Sequence, residues 1–317
     1  MKKAGWFFVI LLLLTVFAGL FYKEKDNNPD AEKTVFLFDT YCTVTAYGRN
    51  SQSAVDEVLK RLEEIHRITD FFSENSEVYK INSAKADEKV FVGEDMKKIL
   101  AAAAEIEKES NGAFDISIAP VLKLWDFENG GRVPSGTEIQ RALSFVGRGS
   151  ILFDEQSGTV TKTSDEAKID LGGIAKGYAG DVAVKVLENF GVTGAIVDLG
   201  GNICCVGENP NTKDGKWHIG LQKPFSPTGE YDQVIEVAQG AVVTSGTYQR
   251  YFEDEEKMYH HIIDPKTGYP KEQGYDSVTL VTDSSLYGDC LATACFILGE
   301  DEGRKLAEKF DAEIYFK

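Results

Sequence analysis

Asp289 and Thr293 stand four residues apart in the stretch 284–298, where Leu286, Leu291, Ala294 and Leu298 recur at helical spacing. A carboxylate and a hydroxyl so spaced share one helix face. Such a pair can hold a hard, oxygen-preferring cation together with water and substrate phosphate. The same spacing also fits Asp289 favoured by the helix N-terminus and Thr293 bonded to its own backbone. His260 and His261 are adjacent in a strand-like run, so they face opposite ways and only one can enter a site. This argues against a zinc pair and for a single imidazole as general base beside a carboxylate such as Asp264. Thr244, Ser245 and Gly246 follow an apolar run and form either a plain turn or a corner that offers hydroxyls and N–H groups to a phosphate.

The stretch 168–201 (KIDLGGIAKGYAGDVAVKVLENFGVTGAIVDLGG) is what must position these groups. It reads as a short β-like run ending at Asp170, a glycine turn, a helix with Ala183, Val186, Leu187 and Phe190 on one side, a stop at Gly191, and a strand at 195–199. Glycines at a helix start leave N–H groups and the positive dipole end open to an anion. The spacing matches neither the dinucleotide-binding fingerprint nor the P-loop.

Around it the pattern predicts strands at 34–47, a helix over 53–69 capped from Ser51–Ser53, and a helix over 92–110 stopped by Asn111 and Gly112. An alternating stretch over 113–127 is interrupted by Pro120, with Leu122, Trp125 and Phe127 as an aromatic cluster. A short helix and a strand pair follow over 139–161, then strands at 202–207, 216–221, 234–243 and 277–281. Residues 248–270 read as a hairpin with an acidic tip at 253–256.

At the N-terminus two lysines precede an apolar run at 5–22, long enough at roughly 27 Å to cross a bilayer's hydrocarbon core. The organisation expected is a cytoplasmic stretch 1–4, a transmembrane anchor or signal segment 5–22, a linker 23–33, and an extracytoplasmic domain 34–317 at the cell membrane. A net charge of −17 excludes nucleic acid as a partner. An anionic ligand then needs local neutralisation, and a divalent cation is the simplest means. The five cysteines fit no zinc template and most read as buried small residues, with a disulfide possible outside the cell and Cys204 and Cys205 on opposite faces of a strand.

FDTYCTV, GAFDISIAPVLKLWDF, DLGGIAKGYAGD, DLGGNI, TSGTYQRYF, HHIIDPKTGYP and DCLAT occur together and in this order. In that combination the chain resembles the ApbE family of FAD:protein FMN transferases from residue 34 to the C-terminus. The resemblance implies an α+β, two-lobed domain with mixed β-sheets and flanking helices, preceded by one N-terminal transmembrane helix. It implies magnesium-dependent transfer of FMN from FAD to a threonine or serine hydroxyl of an acceptor protein, a redox-complex subunit or electron-transfer lipoprotein, with release of AMP. Position by position, it implies Asp289, Thr293 and the Gly173 carbonyl as metal ligands. Phe38, Phe72, Ala113, Phe114, Asp115, Asp170, Lys176 and Ile263 then contact FAD, Thr244, Ser245 and Gly246 form the phosphate-side corner, and His261 is the base. Two other activities use the same cleft: FAD hydrolysis to FMN and AMP, and flavin carriage without chemistry.

Overall fold

The computed structural model describes residues 28–317, residue 228 excepted. The expected stretches 1–4 and 5–22 lie outside the described residues, among which no helix is long and apolar enough to cross a membrane. The β-branched run near the start folds as β1 (Ala31–Leu37) and β2 (Thr40–Tyr47), joined at Phe38 and Asp39. Both joining residues have positive φ, 52° and 59°, as a two-residue hairpin turn demands. Pairing starts at Ala31 with Ala46, so residues 31–33 belong to the first strand and not to the linker.

Helix α1 (Ser51–Thr69) buries Val55, Val58, Leu59, Leu62 and Ile65. It is not capped as expected: the N-cap is Asn50, whose side chain donates to Phe190 O at 3.1 Å and makes no capping bond, while Ser51 Oγ donates to Gly48 O at 2.7 Å. A short α2 (Glu77–Ser83), β3 (Val90–Phe91) and α3 (Glu94–Glu109) follow. Over 113–127 the structure departs from the expected alternation. Residues 113–117 form turns, and Pro120 lies in the first turn of α4 (Ala119–Trp125), where its missing N–H costs nothing. Next come α5 (Gly136–Leu143), β4 (Ile151–Asp154), β5 (Thr159–Lys162) and α6 (Ala175–Phe190).

The run before α6 is not a strand. The Asn82 side chain takes both backbone groups of Ile169, donating to its oxygen at 2.9 Å and accepting its N–H at 2.7 Å. Only one parallel bridge, Ile118 with Lys168, is left. The remaining elements are β6 (Gly194–Leu199), β7 (Asn202–Gly207), β8 (Trp217–Gln222), β9 (Tyr231–Val237), β10 (Gly240–Gly246), β11 (Tyr251–Asp254), β12 (Lys257–His260), β13 (Ser277–Thr282), α7 (Ser285–Leu298), α8 (Glu300–Lys309) and β14 (Glu313–Phe316). The expected single run 234–243 is divided between β9 and β10, which lie in different sheets.

Seven strands form the main sheet in the order β1-β2-β6-β7-β10-β13-β14. Every ladder among the described strands is antiparallel, which corrects the expected mixed sheets. The segment before α6 keeps only its single parallel bridge because Asn82 takes the backbone of Ile169. One face of the main sheet carries α1, α6, α7 and α8 in a single core; the β8–β9 hairpin packs Trp217, Ile219 and Ile235 on the other. Cys204 belongs to the first core and Cys205 to the second, on opposite faces as expected, and all five cysteines are free and buried. A separate small core of Val121, Trp125, Ile139 and Ile263 joins α4, α5 and the β11–β12 hairpin into a second lobe. The acidic-tip hairpin forms with Glu255 and Glu256 as its turn.

Helices α6 and α7 touch at Gly177. A Cβ there would lie 2.4 Å from the Ser285 carbonyl oxygen and 2.6 Å from Asp289 Cβ. Gly177→Ala is therefore expected to lower stability by about 1–3 kcal/mol, the usual cost of overfilling a packed contact. The check is the urea unfolding midpoint; an unchanged midpoint would show that the two helices part freely.

Candidate active site

The turn between Asp170 and α6 begins with an Asx turn, in which Asp170 Oδ1 accepts the Gly172 N–H at 2.8 Å. The Asp170 N–H donates to Ile116 O at 2.8 Å, which ties the turn to the segment after Ala113. Gly173 then lies against α7: a Cβ on it would be 3.5 Å from Thr293 Oγ1 and 3.2 Å from the Phe114 ring. Thr293 Oγ1 is 3.2 Å from Ser245 Oγ at the end of β10. One turn earlier on α7, Asp289 Oδ2 accepts the Gly177 N–H at 2.9 Å. Sites far apart in the chain thus converge where α6 starts.

Asp289 is only 4% exposed, and among the described residues one N–H is its sole side-chain partner. A buried carboxylate with one hydrogen bond is costly unless further positive charge compensates it. The groups gathered near it offer oxygens: its own second carboxylate oxygen and, one turn further along α7, the Thr293 hydroxyl, which has the Ser245 hydroxyl 3.2 Å away. That set suits magnesium or another hard cation. Among the described residues the one cluster of three His, Cys, Asp or Glu ligand atoms within metal reach is elsewhere, at exposed Asp214, His218 and Glu236 around the β8–β9 hairpin.

The small lobe brings His261 and Arg250. Arg250 O accepts two bonds at 3.1 Å, from the His261 N–H and from Nδ1. A carbonyl can only accept, so Nδ1 carries the proton and Nε2 is the free acceptor of a neutral ring. Burial, with Arg250 and His260 beside it, pushes the His261 pKa down to about 3. The expected carboxylate partner is absent: Asp264 is spent on the Lys266 N–H and the Lys271 ammonium. His260 points away, its ring bonded to Lys271 O and the Ile262 N–H. Burial raises the pKa of Asp170, against the Gly172 N–H, Arg250 and Lys176. Lys176 Nζ donates to Gly172 O at 3.2 Å.

The other expected residues divide. Phe38 lines the edge of the large core, its N–H on His66 Nδ1 and its ring edge-on to that imidazole at 5.3 Å. Phe72 is 63% exposed and packs on Phe71. Ala113, Phe114 and Asp115 are buried; Asp115 is held by Ser117 through N–H and Oγ, and burial raises its pKa. Ile263 is buried in the small core. Of the phosphate corner, Ser245 faces α7, whereas Thr244 lies on the opposite face of the sheet with its hydroxyl on Thr279 at 2.8 Å. Gly246 abuts the Tyr248 ring. Two recesses, about 840 and 330 Å³, open elsewhere: one between α3, α6 and α7, the other beside Cys204 and Asp283, and none of these expected residues lines either. Arg250 and Asn82 were not singled out by sequence; a cation directly before an aromatic strand was the available signal for the first.

A family model described as the ApbE family matches residues 38–316. The chain is 34% identical over 266 residues to a FAD:protein FMN transferase of Klebsiella pneumoniae, covering 83% of this chain and 81% of that one. It is 30% identical over 281 residues to one of Haemophilus influenzae, covering 86% and 80%. In structure it is similar to the ApbE protein of Thermotoga maritima, with a TM-score of 0.81, 34% identity, and coverage of 90% and 93%. The flavin transferase ApbE of Vibrio cholerae gives a TM-score of 0.79 at 27% identity, covering 90% and 92%. With the family match spanning nearly the whole described domain and the same fold in both solved relatives, this chain belongs to the ApbE family.

Proposed function

We propose that this chain is a magnesium-dependent FAD:protein FMN transferase acting on a threonine or serine hydroxyl of an acceptor flavoprotein. The observation that carries the reading is the convergence of Gly173, Ser245, Asp289 and Thr293 at the start of α6, an all-oxygen cradle beside a helix N-terminus. Asp289, Thr293 and the Gly173 carbonyl would hold the cation, with Ser245 steadying Thr293. Bound there, magnesium offsets charge on pyrophosphate oxygens.

The α6 N-terminus and Lys176 receive the phosphates. Phe114, packed on Gly173, stiffens the turn that presents them. His261 is neutral, with Nε2 free, so it takes the proton of the acceptor hydroxyl as the new O–P bond to the FMN phosphorus forms. The P–O bond to AMP breaks in the same displacement, and AMP carries the electron pair away. Negative charge arriving with FAD opposes the burial and the Arg250 field that depress this imidazole, so its basicity rises when substrate is in place. Phe38, Phe72, Ala113, Asp115, Asp170, Thr244, Gly246 and Ile263 are proposed FAD contacts, of which exposed Phe72 needs the ligand to become buried. The apolar run at 5–22 with its preceding lysines supports a membrane tether and an extracytoplasmic domain.

The soluble domain, FAD, magnesium and a threonine-containing acceptor, followed by mass spectrometry, test the activity. Acceptor carrying one FMN is expected; free FMN with unmodified acceptor means hydrolysis, and intact FAD means carriage alone. Asp289→Asn keeps shape and the Gly177 bond while removing charge. We expect at least a 100-fold loss of magnesium-dependent transfer with a metal-free unfolding midpoint no lower than that of the wild type, and full transfer by this variant would sink the metal assignment.

A second test uses pH. The folded-state pKa of His261, about 3, lies below the unfolded value near 6.5. Neutral His261 therefore contributes fully above about pH 6.5, and that contribution is lost as pH falls toward 3, because the unfolded chain alone takes up the proton. Urea unfolding of the wild type and His261→Gln at pH 8 and pH 5 should show the stability of the wild type falling relative to the variant by up to about 2 kcal/mol. A difference that ignores pH would mean the imidazole titrates freely.

A further inference from the structure

Arg250 stands where the main sheet hands the chain to the small lobe, after β10 and a short turn at Thr247–Gln249. Its guanidinium lies between two carboxylates without bonding either: Nη2 is 4.0 Å from Asp39 on the β1–β2 turn, and Nη1 is 3.8 Å from Glu128 of the small lobe. Neither separation is a hydrogen bond. By contrast Arg132 and Arg304 close on their glutamates at 2.9 and 2.7 Å. Among the described residues the five N–H donors of Arg250 meet no acceptor within hydrogen-bond reach, although the side chain is about half exposed. Asp170 and His261 both feel Arg250 and Lys176, which sets the two cations about the same carboxylate and the same imidazole.

We propose that Arg250 receives a phosphate oxygen of the dinucleotide, its guanidinium exchanging the distant Asp39 and Glu128 carboxylates for the substrate, while its carbonyl ties that capture to the placement of His261. This rests on the FAD reading above and adds a phosphate ligand from the small lobe. A planar fork of donors suits phosphate oxygens, and the exchange brings no loss of hydrogen bonds because none is made beforehand. The link between Asp39 and Glu128 also spans the two lobes, so capture of substrate and release of that link are one event.

FAD affinity of the full chain, read from flavin fluorescence with magnesium present, tests this without requiring turnover. Arg250→Met is expected to weaken FAD at least 10-fold, and Arg250→Lys to recover part of the loss. The double change Asp39→Asn, Glu128→Gln frees the guanidinium and is expected to tighten FAD severalfold, a sign that structural damage does not produce. Placed in the Arg250→Met background, the same double change should give little gain. The proposal is overturned if Arg250→Met binds FAD as the wild type does, or if the double change helps equally with and without Arg250. A wild type that binds no FAD at all ends the flavin reading itself, and this proposal with it.

Discussion

The close passage of α6 against α7 is the constraint on which the site depends. At Gly177 the two helices approach so nearly that a single Cβ would strike the α7 backbone, and the N–H exposed by that absence is the one that Asp289 accepts. Gly180 repeats the approach one turn later, against Ser285 and Cys204. Asp181, still on α6, caps the other helix by accepting from Ser284 Oγ, the Ser285 N–H and the Leu286 N–H. The helices are thus cross-linked by polar contacts, each one anchoring the terminus of its neighbour. A carboxylate buried in this contact has its position fixed before any ligand arrives, which is the preorganisation that electrostatic catalysis needs.

Charge is the second organising fact. A chain with 17 more acidic than basic side chains repels a dinucleotide over most of its surface. Near the start of α6 that balance is reversed locally, where the helix's amide end, Lys176 and Arg250 gather about Asp170 and His261. The acids there, Asp39, Glu128 and Asp170, surround Arg250 at distances too long for bonding. Asp39 and Glu128 offset the guanidinium charge from a distance and leave its N–H donors without a close acceptor.

Much of this was legible because it is local. Asp289 and Thr293 announce themselves by helical spacing, the glycine turn by composition, and the β11–β12 hairpin by its acidic tip between aromatic runs. The contacts that complete the site are not local. Ser245 reaches Thr293 across 48 positions and Gly177 reaches Asp289 across 112, and no periodicity encodes such pairs. The strand expected before α6 failed for the same reason: Asn82, 87 residues away, claims the backbone of Ile169 with one amide. Pro120 misled in a different manner, since a proline that breaks a strand also opens a helix, and only the following apolar spacing separates the two. The pairing of His261 with Asp264 looked natural by proximity in sequence, but the turn at 264–268 consumes that carboxylate in its own hydrogen bonds.

The loss of that pairing changes what the histidine can do. Beside a carboxylate, imidazole becomes more basic and is partly protonated near neutrality; against a carbonyl and next to a guanidinium it stays neutral. A neutral base avoids placing a second cation next to Arg250 in the resting site. It also makes basicity depend on the ligand, because the anion that binds is the charge that favours imidazolium. The carbonyl fixes the tautomer, the small-lobe core fixes the carbonyl, and the substrate supplies the field.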